Sequence, residues 1–289
     1  MIIIHSRINL KFVTFLMLQV LYSSVFGQGQ NNLLGSLIAT EYAFAASAAD
    51  IGTHDAFFAY IADDGILFRP NPVNGKEYLE NSGSSNGILS WYPTYATVSR
   101  KGDFGFTTGP WELKEKESNN TLYGNYCTVW EKKTDGDWEF VIDFGTKNDK
   151  PQTMPARLKS SLNYSANPIN NVINKKVDQV ELLELDKQLN SNTSAKYLSS
   201  ESRFLRDGFF PIIGSQNITA YITRNEIFCC FKPAGGKISL SKDFGFTYGI
   251  RENSDPKKNS KEQFNYVHVW KKEGNKWILL TDVIKKIGK

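Results

Sequence analysis

Asp103–Gly109 reads DFGFTTG, and Asp243–Gly249 reads DFGFTYG. Six of the seven positions are identical, at an offset of 140 residues. The same offset carries Trp91 onto Phe231, Pro93 onto Pro233, Tyr126 onto Tyr266, Val129 onto Val269, Trp130 onto Trp270 and Lys132 onto Lys272. Past a hairpin one residue shorter, Trp138 falls on Trp277 and Asp143 on Asp282. Upstream an offset of 143 places Glu41 on Glu184, Asp64-Gly65 on Asp207-Gly208 and Tyr78 on Tyr221. Offsets that change only at loops mark a duplicated domain.

Each copy reads as helices followed by a sheet. Leu34, Ile38, Tyr42 and Ala45 recur at helical spacing, as do Ile173, Val177 and Val180. A second short helix is expected from His54 to Ala62, closed by a turn at Asp63-Asp64-Gly65, with a third near Lys76–Asn81. Strands are expected at 66–68, 88–92, 95–100, 104–111, 123–133 and 138–144, with Asp135-Gly136 as a hairpin turn. This order predicts an α+β fold of two tandem cone-shaped domains, each a curved antiparallel sheet wrapped around N-terminal helices over a conical pocket. The boundaries read as a signal peptide at 1–27, domain 1 at 32–146, a linker at 147–174 and domain 2 at 175–289.

Arg7 and Lys11 precede the apolar run Phe12–Phe26, and a small residue, Gly27, follows it. This is the three-part pattern of a secretory signal peptide, so a secreted or periplasmic location is expected, without stable membrane insertion after cleavage. Cleavage lowers the formal net charge from +4 to +2. A nearly neutral chain without a basic stripe argues against a nucleic-acid partner. The cysteines, Cys127, Cys229 and Cys230, lack metal-ligand spacing and read as small hydrophobes. No metal or cofactor is expected.

The stretches ADDGILFRP (62–70), DFGFTTG and YCTVWEKKTDGDWEFVID (126–143) resemble the SnoaL-like branch of the nuclear transport factor 2-like superfamily. Within it they resemble most the secreted tandem-domain proteins without assigned activity. The resemblance covers both copies and implies the cone-shaped fold. Activity is left open, because the superfamily includes isomerases, dehydratases, cyclases and binding modules. Its ketosteroid isomerases carry an aspartate base just before the final proline of the first stretch. Here Arg69 stands there, and Phe210 before Pro211 in the second copy, so that mechanism is not expected. The superfamily's acid group falls near Tyr126.

Two functional readings follow. In one, the domain 1 pocket binds a small apolar or carboxylate-bearing ligand between Tyr42, Trp91, Tyr126 and Phe106, with Arg69 as polar contact. Arg69 is then held either by Glu41, as a structural ion pair, or by the ligand's carboxylate. In the other, a lyase, isomerase or hydrolase uses Asp143 and Tyr126, which requires Asp143 inside the pocket within reach of Tyr126. A third, structural reading has the copies pack through their sheets as an intramolecular pseudo-dimer.

Overall fold

The computed structural model describes residues 32–83, 87–118, 120–158, 180–190, 192–225, 229–255 and 260–288. The expected signal peptide, most of the linker, and Ile173 and Val177 lie outside them.

The first domain opens with helix α1 (32–50), whose deepest line is Leu37, Glu41, Phe44 and Ala48. Helix α2 (Thr53–Tyr60) follows. Strand β1 (Ile61–Phe68) begins directly after it and contains Asp63-Asp64-Gly65, which are therefore strand rather than turn. Strand β2 (Pro72–Asn74) leads into α3 (Gly75–Glu80), where the Asn74 side chain caps the helix by accepting from the Glu77 amide at 3.0 Å. Strands β3 (Gly87–Trp91), β4 (Tyr95–Val98), β5 (Phe104–Glu115), β6 (Thr121–Lys132) and β7 (Trp138–Asn148) complete a seven-stranded sheet. Its main path is β2-β1-β7-β6-β5-β3, with β4 also on β5. All pairings are antiparallel except β1 with β7.

The second domain repeats the plan with α4 (Val180–Gln188), β8 (Arg203–Arg206), β9 (Ile212–Ile213), α5 (Ser215–Asn225), β10 (Cys229–Ile238), β11 (Phe244–Asp255), β12 (Ser260–Glu273) and β13 (Lys276–Lys286). These strands form a six-stranded sheet, again with a single parallel pairing, β8 on β13. The protein is α+β, with two sheets. The internal register repeats in detail: Thr128 pairs with Asp143 and His268 with Asp282, and each β-hairpin carries a bulge, between Val129 and Trp130 and between Val269 and Trp270.

DFGF is repeated because its glycine seats a helix. A Cβ on Gly105 would lie 2.5 Å from Leu37 Cδ2 in α1, and one on Gly245 would lie 2.6 Å from Leu182 Cδ1 in α4. Leu37 thus corresponds to Leu182, an offset of 145. Trp138 Nε1 donates to Ser36 Oγ at 3.0 Å and Trp277 Nε1 to Glu181 Oε1 at 2.8 Å, which gives the same offset. The counterpart of Glu41 is therefore Asp186, not Glu184. A two-residue slip turns a helix by about 200°, and Glu184 faces solvent, bonded to Lys187 at 2.6 Å.

Alternate residues of the central strands face opposite ways. One face meets α1 or α4. The other builds one apolar cluster from both sheets, with Phe104, Phe106, Val129, Ile142 and Phe144 against Phe244, Phe246, Val267, Val269 and Val283. Cys127 is buried there as a free thiol, while Cys230 is exposed. Polar contacts across the boundary are reciprocal. Asp103 accepts from Ser99 Oγ at 2.6 Å and from the Leu240 amide at 2.6 Å. Asp243 accepts from Ser239 Oγ at 3.2 Å and from the Arg100 amide at 3.1 Å. Lys237 bridges Asp64 at 2.9 Å and Glu131 at 2.8 Å, so Asp64 serves the contact between the domains. Residues 149–158, expected to be linker, lie along the first domain: Leu158 N donates to Pro93 O, and Tyr92 and Tyr42 donate to Pro155 O and Leu158 O.

Candidate functional site

A cavity of about 540 Å³ opens in the first domain, within the range of small-molecule sites. Phe44, Phe57, Leu79, Leu89, Trp91, Trp111 and Leu113 supply its apolar lining. Tyr126 and Asp143 supply polar groups. They are diagonal neighbours on one sheet face, since Tyr126 pairs with Gly145 and Thr128 with Asp143.

Asp143 is half-buried and accepts from Thr128 Oγ1 at 2.6 Å. Burial raises its pKa to about 6, against the opposing pull of the Thr128 hydrogen bond and the Arg69 charge. Burial also pushes the Tyr126 phenol far up, and the Glu41 and Asp143 charges add to this. The Tyr126 hydroxyl makes no hydrogen bond among the described residues. Glu41 is fully buried, accepting from Trp91 Nε1 at 2.5 Å, Thr107 Oγ1 at 2.5 Å and Trp130 Nε1 at 3.1 Å. Burial outweighs these donors and raises its pKa to about 7. Its role is to orient Trp91, which lines the cavity while Glu41 does not.

The same positions in the second domain are filled by a chain of alternating charge. Asp186 accepts from Tyr266 Oη at 2.8 Å, His268 Nδ1 at 2.9 Å and Trp270 Nε1 at 3.2 Å. His268 Nε2 lies 3.4 Å from Asp282 Oδ1, and Arg206 Nη2 lies 2.7 Å from Asp282 Oδ2. Phe231 packs its ring 4.7 Å from the imidazole. Burial works against charge on His268, but Asp186 and Asp282 outweigh it and hold the pKa up at about 9. Burial also pushes Asp282 up, but Arg206 and His268 prevail and hold it well below the usual carboxylate range. Equivalent aspartates thus shift in opposite directions. Asp143 has Thr128 where Asp282 has His268, and no ion pair joins it to Arg69 among the described residues.

No protein-family model and no curated protein matches the chain. Solved structures do. An NTF-2 like protein of unknown function from Shewanella oneidensis MR-1 is similar over 37% of this chain and 94% of its own, with 19% identity and a TM-score of 0.31. A protein named as a SnoaL-like polyketide cyclase, from Shewanella denitrificans OS-217, covers 37% of this chain and 85% of its own, with 16% identity and a TM-score of 0.28. An Ntf2 like protein involved in plasmid conjugation covers 93% of this chain and 99% of its own, with 9% identity and a TM-score of 0.21. These names fall in the superfamily that the sequence resembles.

Of the residues read from the sequence as site residues, Arg69, Trp91, Tyr126 and Asp143 meet at the cavity. Phe106 does not: it points to the opposite face of β5 from Thr107, into the cluster between the sheets. Tyr42 sits on the flank of α1, away from the lining, and bonds Leu158 O at 2.6 Å. The expected Glu41–Arg69 pair is not formed, since Glu41 is enclosed by indole and hydroxyl donors. Arg69 is exposed at the mouth, donating to Phe68 O at 2.8 Å and lying 5.3 Å from the Tyr78 ring centre. Its counterpart is Arg206 rather than Phe210, because Ile66 pairs with Ile142 on β7 as Arg203 pairs with Thr281, the equivalent residue, on β13. His54 is half-buried in the lining and bonds Leu79 O at 2.9 Å. Asp186 and His268 are not among the site residues read from the sequence, and the copies differ at the histidine, which stands where the first has Thr128. Among the described residues no group of His, Cys, Asp and Glu could hold a metal ion, and no helix is long and apolar enough to cross a membrane.

Proposed function

We propose that the first domain binds a small, largely apolar molecule in its cavity, oriented by one polar contact to Asp143 or Tyr126. The observation that carries this reading is the contrast between the copies. The first has a cavity over an aspartate of raised pKa, and in the second the corresponding aspartate is buried in an ion chain with His268, Asp186 and Arg206. On this reading the second domain is a scaffold and the pair an intramolecular pseudo-dimer, supported by the shared apolar cluster and the reciprocal Asp103 and Asp243 contacts. The chain is proposed to act after export, on the strength of its N-terminal pattern. A thermal-shift panel of neutral and acidic bicyclic aromatics and medium-chain aliphatics tests the binding reading. At least one compound is expected to raise Tm in the wild type and not in Trp91→Leu. A panel in which nothing binds more tightly than about 1 mM overturns it.

A second reading rests on Asp143 and Tyr126 lining one cavity. There Asp143 would remove a proton from the carbon next to a ketone carbonyl, and Tyr126 would donate a hydrogen bond to the enolate oxygen that forms. In heavy water the carbon would take up deuterium, which NMR detects. Exchange in the wild type that is lost in Asp143→Asn supports catalysis; exchange equal in both refutes it.

A further inference from the structure

The mouth of the cavity is built by both domains. Lys285, on the last strand of the second domain, lines it together with Arg69 of the first. A second hollow, of about 500 Å³, adjoins it and shares Arg69, Tyr78 and Lys285 with it. Lys286, paired with Glu262 at 2.6 Å, also lines this hollow, and among the described residues no carboxylate does. Asn265 of the second domain donates to Pro70 O at 2.5 Å, which ties the loop after Arg69 to the second sheet. Lys285 is half-buried and reaches Gly145 O at 3.4 Å, and the Arg69 charge acts on it. Neither Arg69 nor Lys285 has a carboxylate within ion-pair distance among the described residues. Asp207 acts on Lys285 and Asp143 on Arg69 only at longer range, so an anion placed between the two cations gains from both. The apolar walls lie inward of these cations, and Asp143 within the cavity disfavours a second negative charge there.

We propose that the ligand of the first domain is a monocarboxylate with an apolar body, its head held at the mouth by Arg69 and by Lys285 of the second domain, its body against the apolar lining that includes Trp91 and Phe57. This rests on the binding reading above and names the class of ligand. It also gives the second domain a part in the site: a separated first domain would lack half of the anion clamp. The guanidinium fork of Arg69 suits a carboxylate, and Lys285 adds a point charge.

Isothermal titration of the full chain with 2-naphthoate and 2-naphthamide tests this, because the two probes share shape and differ in charge. In the wild type the acid is expected to bind at least about tenfold more tightly than the amide. Lys285→Met should erase most of that preference and leave the amide's Kd unchanged, with Arg69→Met behaving likewise. Equal Kd values for acid and amide in the wild type overturn the anion clamp while leaving the cavity reading intact. Binding of neither probe overturns both. A Lys285→Met protein that weakens acid and amide equally also overturns the clamp. Should that variant fold poorly, the wild type alone decides: a clamp requires the acid's Kd, and not the amide's, to rise between about 20 mM and 500 mM salt.

Discussion

Replacing His268 with threonine gives the second domain the residue that the first carries at Thr128. The imidazolium lies between Asp186 at 2.9 Å and Asp282 at 3.4 Å, fully buried. Removing it leaves two buried carboxylates short of a partner, which costs about 3–5 kcal/mol at neutral pH. At about 2–4 °C per kcal/mol for a unit of this size, Tm should fall by roughly 6–20 °C. The pH dependence is the sharper test. Since the folded pKa, about 9, lies above the ordinary 6.5, the folded state keeps a proton that the unfolded chain releases between these values. The histidine's contribution is fully present below pH 6.5 and is lost as pH rises through 9. The whole loss is on the order of 3 kcal/mol, at about 1.4 kcal/mol per pH unit. Urea unfolding at fixed pH steps from 7.5 to 9, followed by tryptophan fluorescence, isolates this window from Glu41, which titrates near 7. Burial lowers the pKa of Lys271 and Lys285, and they act in the opposite sense as pH approaches 10.5, so the series stops at 9. The wild type should lose stability across the series and His268→Thr should lose clearly less, the remainder coming from Cys127, whose thiol burial keeps protonated in the folded state, and from His54, whose pKa the Asp55 hydrogen bond raises. A flat wild-type curve, or an unchanged slope in the variant, would mean that the imidazole is neutral and that the charge chain is wrongly described.

Three further outcomes are expected. Glu41→Gln should make the loss of stability between pH 4.5 and 7 shallower, because the raised pKa lets the folded state hold a proton there that the unfolded chain has released; denaturation midpoints at pH 5, 6 and 7 would show it. Asp103→Ala and Asp243→Ala should each cost about 1–3 kcal/mol, since each strands an amide of the other domain, and calorimetry should show the whole chain melting earlier. Gly105→Ala should cost about 1–3 kcal/mol by pushing its Cβ onto Leu37. Leu37→Ala in the same chain should then cost less than the two changes added together, which a double-mutant cycle measures.

Much of the second sheet could be read by repeating the first. The offset of 140 through β5 and β6 survives in space, because both hairpins keep the same pairing and the same glycine seats. The helices were harder to align. Their match rested on Glu41 with Glu184 and on two Asp-Gly pairs, one of which lies inside β1 and the other after β8. Acidic residues and turn residues recur too often to fix a register, whereas Leu37 and Leu182 are fixed by what they touch. Asp143 and Tyr126 could be nominated from the sequence; Lys285 could not, because nothing local to β13 marks a lysine that reaches another domain's cavity.

The sequence by itself determined that the chain is a duplicated α+β domain behind a signal-like segment, with Asp143 and Asp282 at equivalent places. Tertiary structure alone decided what those aspartates are. A bulge at Trp130 and at Trp270 shifts each hairpin by one residue, and a one-residue shift exchanges the faces of a strand. That shift brings Asp143 opposite Thr128, and Asp282 opposite His268. Whether each carboxylate then holds its proton more or less tightly than usual depends on charges brought there by distant strands: Arg206 reaches Asp282, while Arg69 stays at the cavity mouth. Coulombic partnership in a poorly solvated place is set by a few ångströms between chain segments far apart in sequence, and so only the folded structure could separate an aspartate at a cavity from one in a buried ion chain.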